Sequence, residues 1–246
     1  MGTSKTIRHL LTVILLTTSF GIILTSCKKK GNNDDMDDNS PFTTKPEAIA
    51  AEDSGSGGVY KGVLVGSTGY VKIILQGGQK SVTVTMDGTT KSLTEVSFAP
   101  TNWTSGQPIT RAVFAKDNWQ VVFSVAANGG NPVIEVDIPG HSNITVAVLK
   151  ETSTSVVKSY EGTVTYQGTS ANSVFNFVVK GNSFSGLVRI PGETATYTMQ
   201  GSLQNGTTLQ GTVNGATVNG TIQGDNATGN IITPNTSAPW TAKRTL

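Results

Sequence analysis

Few side chains in this sequence combine a reactive type with a telling position. Cys27 is the single cysteine and stands between an apolar run and a charged tract in "IILTSCKKKGNNDDMDDN". The two histidines are His9, in the leading segment, and His141, which follows "IPG" in a turn-like stretch. A Cys/His nucleophile, or a zinc site built from several imidazoles or thiolates, therefore lacks its parts. A Ser-His-Asp triad would have to use His141, and no GxSxG elbow supports one. Glu135 and Asp137 in "VIEVDIPGH" share a strand face, where an opposing acid would make a glycosidase-like pair and a further oxygen ligand a cation site. The plainer reading is the solvated side of a sheet. "DDMDD" lacks the glycine and terminal glutamate of a calcium loop. We assign no catalytic residue, metal ligand or cofactor, and expect a protein that is not an enzyme, with a carbohydrate-active enzyme the last alternative.

Aromatic side chains offer binding instead. Trp119 alternates with Val121 and Phe123, and Trp240 lies on the final strand-like run, so both are expected in cores. Trp103 sits in "APTNWTSGQP", long for a hairpin loop. With Asn102 beside it, Trp103 is the candidate ligand contact, able to stack on a sugar or a partner, or else to cap a barrel end.

These residues are positioned by an unusual chain plan. Lys5 and Arg8 precede the apolar run "LLTVILLTTSFGIIL", and small residues follow, the order of a secretory signal peptide. At about fifteen residues the run is short of the roughly 20 that cross a bilayer. Leu24-Thr25-Ser26-Cys27 resembles the lipobox of bacterial lipoproteins, which implies cleavage after residue 26 and acylation of Cys27 with chains such as palmitate. The tract behind it is similar in composition to Bacteroidota-type lipoproteins, where acidic residues favour export to the surface. Here Lys28, Lys29 and Lys30 come first and Asp34, Asp35, Asp37 and Asp38 follow, so periplasmic and surface orientation both stay open. The resemblance implies a lipid-anchored protein of the outer membrane or cell surface, with the membrane as its partner through Cys27; a glycan, a small apolar ligand or an envelope protein is the further partner expected of the folded part. Without residues 1–26 the chain carries 16 basic and 16 acidic residues. That balance offers no electrostatic case for nucleic acid.

Residues 27–57, rich in charge, Asn, Ser, Gly and Pro, are expected to form a disordered tether. From Val59 onward, short alternating Val/Ile/Thr/Tyr/Phe runs are punctuated by "DG" at 87–88, "NG" at 205–206, "GG" at 77–78 and 129–130, and "DN" at 117–118. An all-β antiparallel meander is predicted, with about eight strands per half. A repeat of about one hundred residues relates Tyr60-x-Gly62-x-Leu64 to Tyr160-x-Gly162-x-Val164, giving two tandem domains, 58–152 and 157–246. In the second half glycine recurs between apolar residues on one face, at Gly186, Gly201, Gly211, Gly220 and Gly229. Such strands coil tightly, and closure into a small barrel removes their edges. The halves resemble lipocalin-like and avidin-like barrels in architecture only. The outward residues of the second half are Thr, Asn and Gln, unlike the apolar belt of a membrane barrel. The first half differs in placing Lys61, Val63 and Val65 outward, a patch that would meet either the second domain or a partner protein. The function expected is ligand or partner binding through small barrels, with a structural subunit of an envelope complex as the alternative.

Overall fold

The computed structural model describes residues 40–166 and 173–246. Cys27, its lipobox and the run of lysines and aspartates behind it lie outside them. Within them the chain is all-β and antiparallel throughout. Strands β1 (Gly58–Val65), β2 (Thr68–Leu75), β3 (Ser81–Met86), β4 (Thr89–Ala99), β5 (Ile109–Lys116), β6 (Trp119–Val125), β7 (Val133–Asp137) and β8 (Thr145–Lys150) form one sheet. Its order is β7-β6-β5-β4-β3-β2-β1-β8, a meander whose last strand returns beside the first and leaves the barrel nearly closed between β7 and β8. Strands β9 (Val157–Val164), β10 (Ser173–Lys180), β11 (Ser183–Arg189), β12 (Tyr197–Gln204), β13 (Thr208–Val213), β14 (Ala216–Gln223), β15 (Asn226–Ile232) and β16 (Ser237–Arg244) close completely, with β16 hydrogen-bonded to β9.

Local chemistry sets the strand ends. Asp87-Gly88 and Asn205-Gly206 each hold two successive positive φ angles, 48° and 76° in the first and 53° and 71° in the second. That backbone matches the right-handed twist of tight hairpins and favours Asx-Gly pairs. A bulge in β4 skips Val96 and turns it outward, which accounts for an apolar residue 65% exposed.

Alternation sets the cores. In the first sheet Val71, Ile73 and Leu75 of β2 and Val82, Val84 and Met86 of β3 point inward with Tyr60, Phe114 and Phe123. The closed barrel is filled by aromatics: Phe175 stacks on Trp240 with ring centres 4.7 Å apart, and Tyr160 on Phe177 at 4.9 Å. The strand glycines make room for these rings. A Cβ at Gly220 would lie 2.3 Å from Cζ2 of Trp240, and one at Gly211 would lie 2.6 Å from Cζ of Phe184. The outward patch of β1 finds its cover in the same chain, since Val63 and Val65 pack with Ala147 against Val157, Val178 and Leu187 of the closed barrel. Beside this patch the buried amide of Asn176 donates to Leu64 O at 2.7 Å and accepts from Gly162 N at 3.1 Å, satisfying both of its ends.

Part of the segment read as tether is packed. Arg244 donates to Thr43 O at 2.6 Å, with its guanidinium over the Phe42 ring. The Glu47 carboxylate meets Lys61 at 2.8 Å and Lys72 at 2.6 Å. Ala50–Glu52 forms a 3-10 turn, and Lys150 donates to the carbonyls of Glu52, Asp53 and Gly55 around it. The segment thus runs as a strap from β16 to β1, β2 and β8. Its polar composition hides this because ion pairs and backbone bonds, not apolar burial, hold it.

Candidate functional site

Each described residue singled out for chemistry has a definite place. Trp103 turns inward: its ring packs on Phe98 with centres 5.2 Å apart, and its indole N–H reaches Ser56 Oγ at 3.1 Å and Gln107 O at 3.0 Å. It caps one end of the first sheet and pins the end of the strap, while its neighbour Asn102 is exposed. Trp240 is buried and Trp119 half-buried under Lys91. Glu135 and Asp137 are exposed on the outer face of β7, across from Val122 and Gln120, so no second acid opposes them there.

His141 approaches Asp87 with Nε2 3.6 Å from Oδ2, and Ser67 donates its hydroxyl to the other oxygen of the same carboxylate. The order is serine, aspartate, histidine. A nucleophilic triad needs the imidazole between the other two, ready to take the serine proton. Here the acid separates them. Among the described residues no group of three or more His, Cys, Asp or Glu side chains is placed to hold a metal ion.

Two concave regions stand out among the described residues. The first is the open end of the closed barrel, where a cavity of about 170 Å³ is lined by Tyr166, Tyr197, Val188, Ile190, Val213 and Ile231 with Ala216, Asn214, Thr233 and Thr236. Strand direction builds it. The last inward residues of β11, β13 and β15 and the first of β12 and β14 converge at this end, above the plug of Phe175, Phe177 and Trp240. The Tyr197 hydroxyl donates to Glu193 at 3.3 Å, and burial with the nearby Glu193 pushes the Tyr166 hydroxyl upward, so it stays protonated and polar at neutral pH. At the other end Tyr160 and Arg244 close the barrel, with burial raising the Tyr160 hydroxyl to about 12.

The second region is a groove between the sheets. It comprises two adjoining cavities, of about 330 and 360 Å³, with Ser67 and Val174 in the lining of both. Arg189 lines one part and Glu161 the other. The apolar mouth was half legible in the sequence, since Val188, Ile190, Tyr197, Val213 and Ile231 fall on the alternating inward face. The groove was not, because its walls come from turns and strands about a hundred residues apart. The chain matches no protein-family model and no curated protein.

Proposed function

We propose that this chain is a non-enzymatic binding protein of the cell envelope, lipid-anchored through Cys27, which takes a small apolar ring-sized group into the open end of its closed barrel. The observation that carries the reading is the 170 Å³ mouth walled by aliphatic side chains and two tyrosines. An apolar cavity of about 150 Å³ holds benzene. Hydroxyls at the rim would orient a ring with a polar substituent. A role as a structural subunit draws less support, because the apolar patch on β1 that would mark a partner surface is spent on the junction between the sheets. A carbohydrate-active enzyme finds no support in the exposed, unopposed Glu135 and Asp137.

Phenol is the simplest probe of the mouth. It is expected to bind saturably to the full-length chain and raise its melting temperature, and Ala216→Phe, which fills the cavity from the first position of β14, is expected to abolish both effects. Binding that survives in the filled variant, or no saturable binding to the wild type, would reject the mouth as the site. For the anchor, Cys27→Ser is expected to release the protein from the membrane fraction or leave it unprocessed. Normal processing with unchanged fractionation would reject lipidation.

A further inference from the structure

Between the sheets lie two opposite charges, Arg189 and Glu161, neither of which has an ion-pair partner among the described residues. Arg189 is half-buried on the outer face of β11. Its Nε donates to Thr196 Oγ1 at 2.9 Å, and its Nη2 donates to Asn143 O, to Thr145 Oγ1 at 3.3 Å and to Thr196 Oγ1 at 2.5 Å. All of these acceptors are neutral, and Nη1 has no hydrogen-bond partner among the described residues while lying beside Gly66 on the groove wall. Glu193, the acid on the same wall, accepts from Tyr197 and stands outside ion-pair distance of Arg189. Burial lowers the guanidinium's affinity for its proton with no carboxylate to offset it.

Glu161 is the mirror case. It is half-buried on the outer face of β9, hydrogen-bonded by the Thr68 hydroxyl, and no basic side chain among the described residues stands within ion-pair distance. Burial and the nearby Asp87 raise its carboxyl, against the lowering by the hydroxyls of Thr68 and Thr245. Partial burial strips some of the water that would otherwise solvate each charge. Here Arg189 lines one of two adjoining cavities and Glu161 the other, and they do not pair with each other.

Register fixes their separation. Val174 of β10 stands opposite Arg189 on one side and Thr163 on the other, and Glu161 lies two residues from Thr163 on the same face of β9. With strands about 4.8 Å apart and about 3.3 Å per residue, the two α-carbons are roughly 12 Å apart. A di- or tripeptide, whose residues span at most about 3.6 Å each, matches that separation. Ser67, Thr68, Thr163 and Thr194 supply hydroxyls along the way for peptide N–H and C=O groups.

We propose that this groove binds a short zwitterionic peptide, with its terminal ammonium at Glu161 and its terminal carboxylate at Nη1 of Arg189. The site adjoins the barrel mouth, with Ile190 in the wall of both, but its charged ends lie outside the mouth. Trialanine, N-acetyl-trialanine and trialanine amide titrated calorimetrically into the full-length chain test the idea. Free trialanine is expected to bind at least about tenfold more tightly than either capped form. Glu161→Gln is expected to erase the penalty for acetylation and keep the penalty for amidation, and Arg189→Gln to do the reverse. Because each variant is read by a ratio of affinities, a general loosening of the junction does not imitate the result. Equal binding of the three peptides, no saturable binding of any, or variants that weaken all three alike would overturn the proposal.

Discussion

At the residue scale the clearest dependence is between each strand glycine and the ring it faces. Gly211 pairs with Gly201 across β13 and β12, and a Cβ on Gly211 would sit 2.4 Å from Gln200 O as well as 2.6 Å from Phe184. Neither a neighbouring backbone carbonyl nor a ring locked against Phe177 gives way easily. Gly211→Val is therefore expected to cost about 1–3 kcal/mol by overpacking. Thr212→Val, exposed on the next position, should stay within about 0.5 kcal/mol of wild type. Urea unfolding of the two variants measures the contrast, and equal losses would contradict this assignment of faces. A second residue-scale dependence lies at the junction, where Lys61 is 1% exposed and Glu151 fully buried, 2.7 Å apart. Glu151 also accepts from the backbone of Glu47, Ala48 and Val157. Lys61→Ala would leave that carboxylate buried without its cation, a loss expected near 3–5 kcal/mol in the same unfolding experiment.

At the scale of elements, strands and strap were unequally legible. A strand carries its own signal, because period-two alternation and Asx-Gly turns act within a few residues; this is why runs such as Leu209-Gly211-Val213 could be placed on the inward face from sequence. The strap carries none. Glu47 is held by Lys61 and Lys72, Asp53 by the backbone and hydroxyl of Ser153, and Thr43 by Arg244, partners between 14 and 201 residues away. For the same reason the sequence left Trp103 open between a ligand-stacking loop aromatic and a barrel-end cap: the serine that receives its indole lies 47 residues upstream. The strap's hold should depend on pH in one direction. Burial works against ionising Glu47, but the ammonium groups of Lys61 and Lys72 outweigh it and hold the carboxyl below its ordinary value. Folding then favours the ionised form, so this contribution is fully present above the unfolded value of about 4.3 and fades as pH falls through the lower folded value. Protection of the Glu47 and Ala48 amides, taken relative to their intrinsic exchange rates, is expected to be high at neutral pH and to fall in acid below the ordinary carboxylate range, ahead of the amides of β2. Exchange at these two amides that tracks β2 throughout would contradict this picture.

For the whole molecule, the question is whether two sheets that share a compact unit also share their stability. The closed barrel has its own filled core, complete hydrogen bonding around the ring, and no strand borrowed from the first sheet. What it takes from its neighbour is cover for Val157, Val178 and Leu187, a carbonyl for Asn176, and the strap across Arg244. A fragment of residues 157–246 is therefore expected to fold as a cooperative monomer, since the core it needs lies within it. It should nevertheless melt below the intact chain, because three apolar side chains buried at the junction, each worth about 1.5–3 kcal/mol when fully covered, become exposed. Leu187→Ser and Val178→Ser in the fragment, now on a solvated face, should cost little there and substantially more in the intact chain. Thermal melts of the fragment and the whole chain, with and without these two changes, decide the matter. A fragment that melts without cooperativity would show that the ring needs the first sheet to form, and a fragment as stable as the whole would show that the junction adds nothing to either barrel.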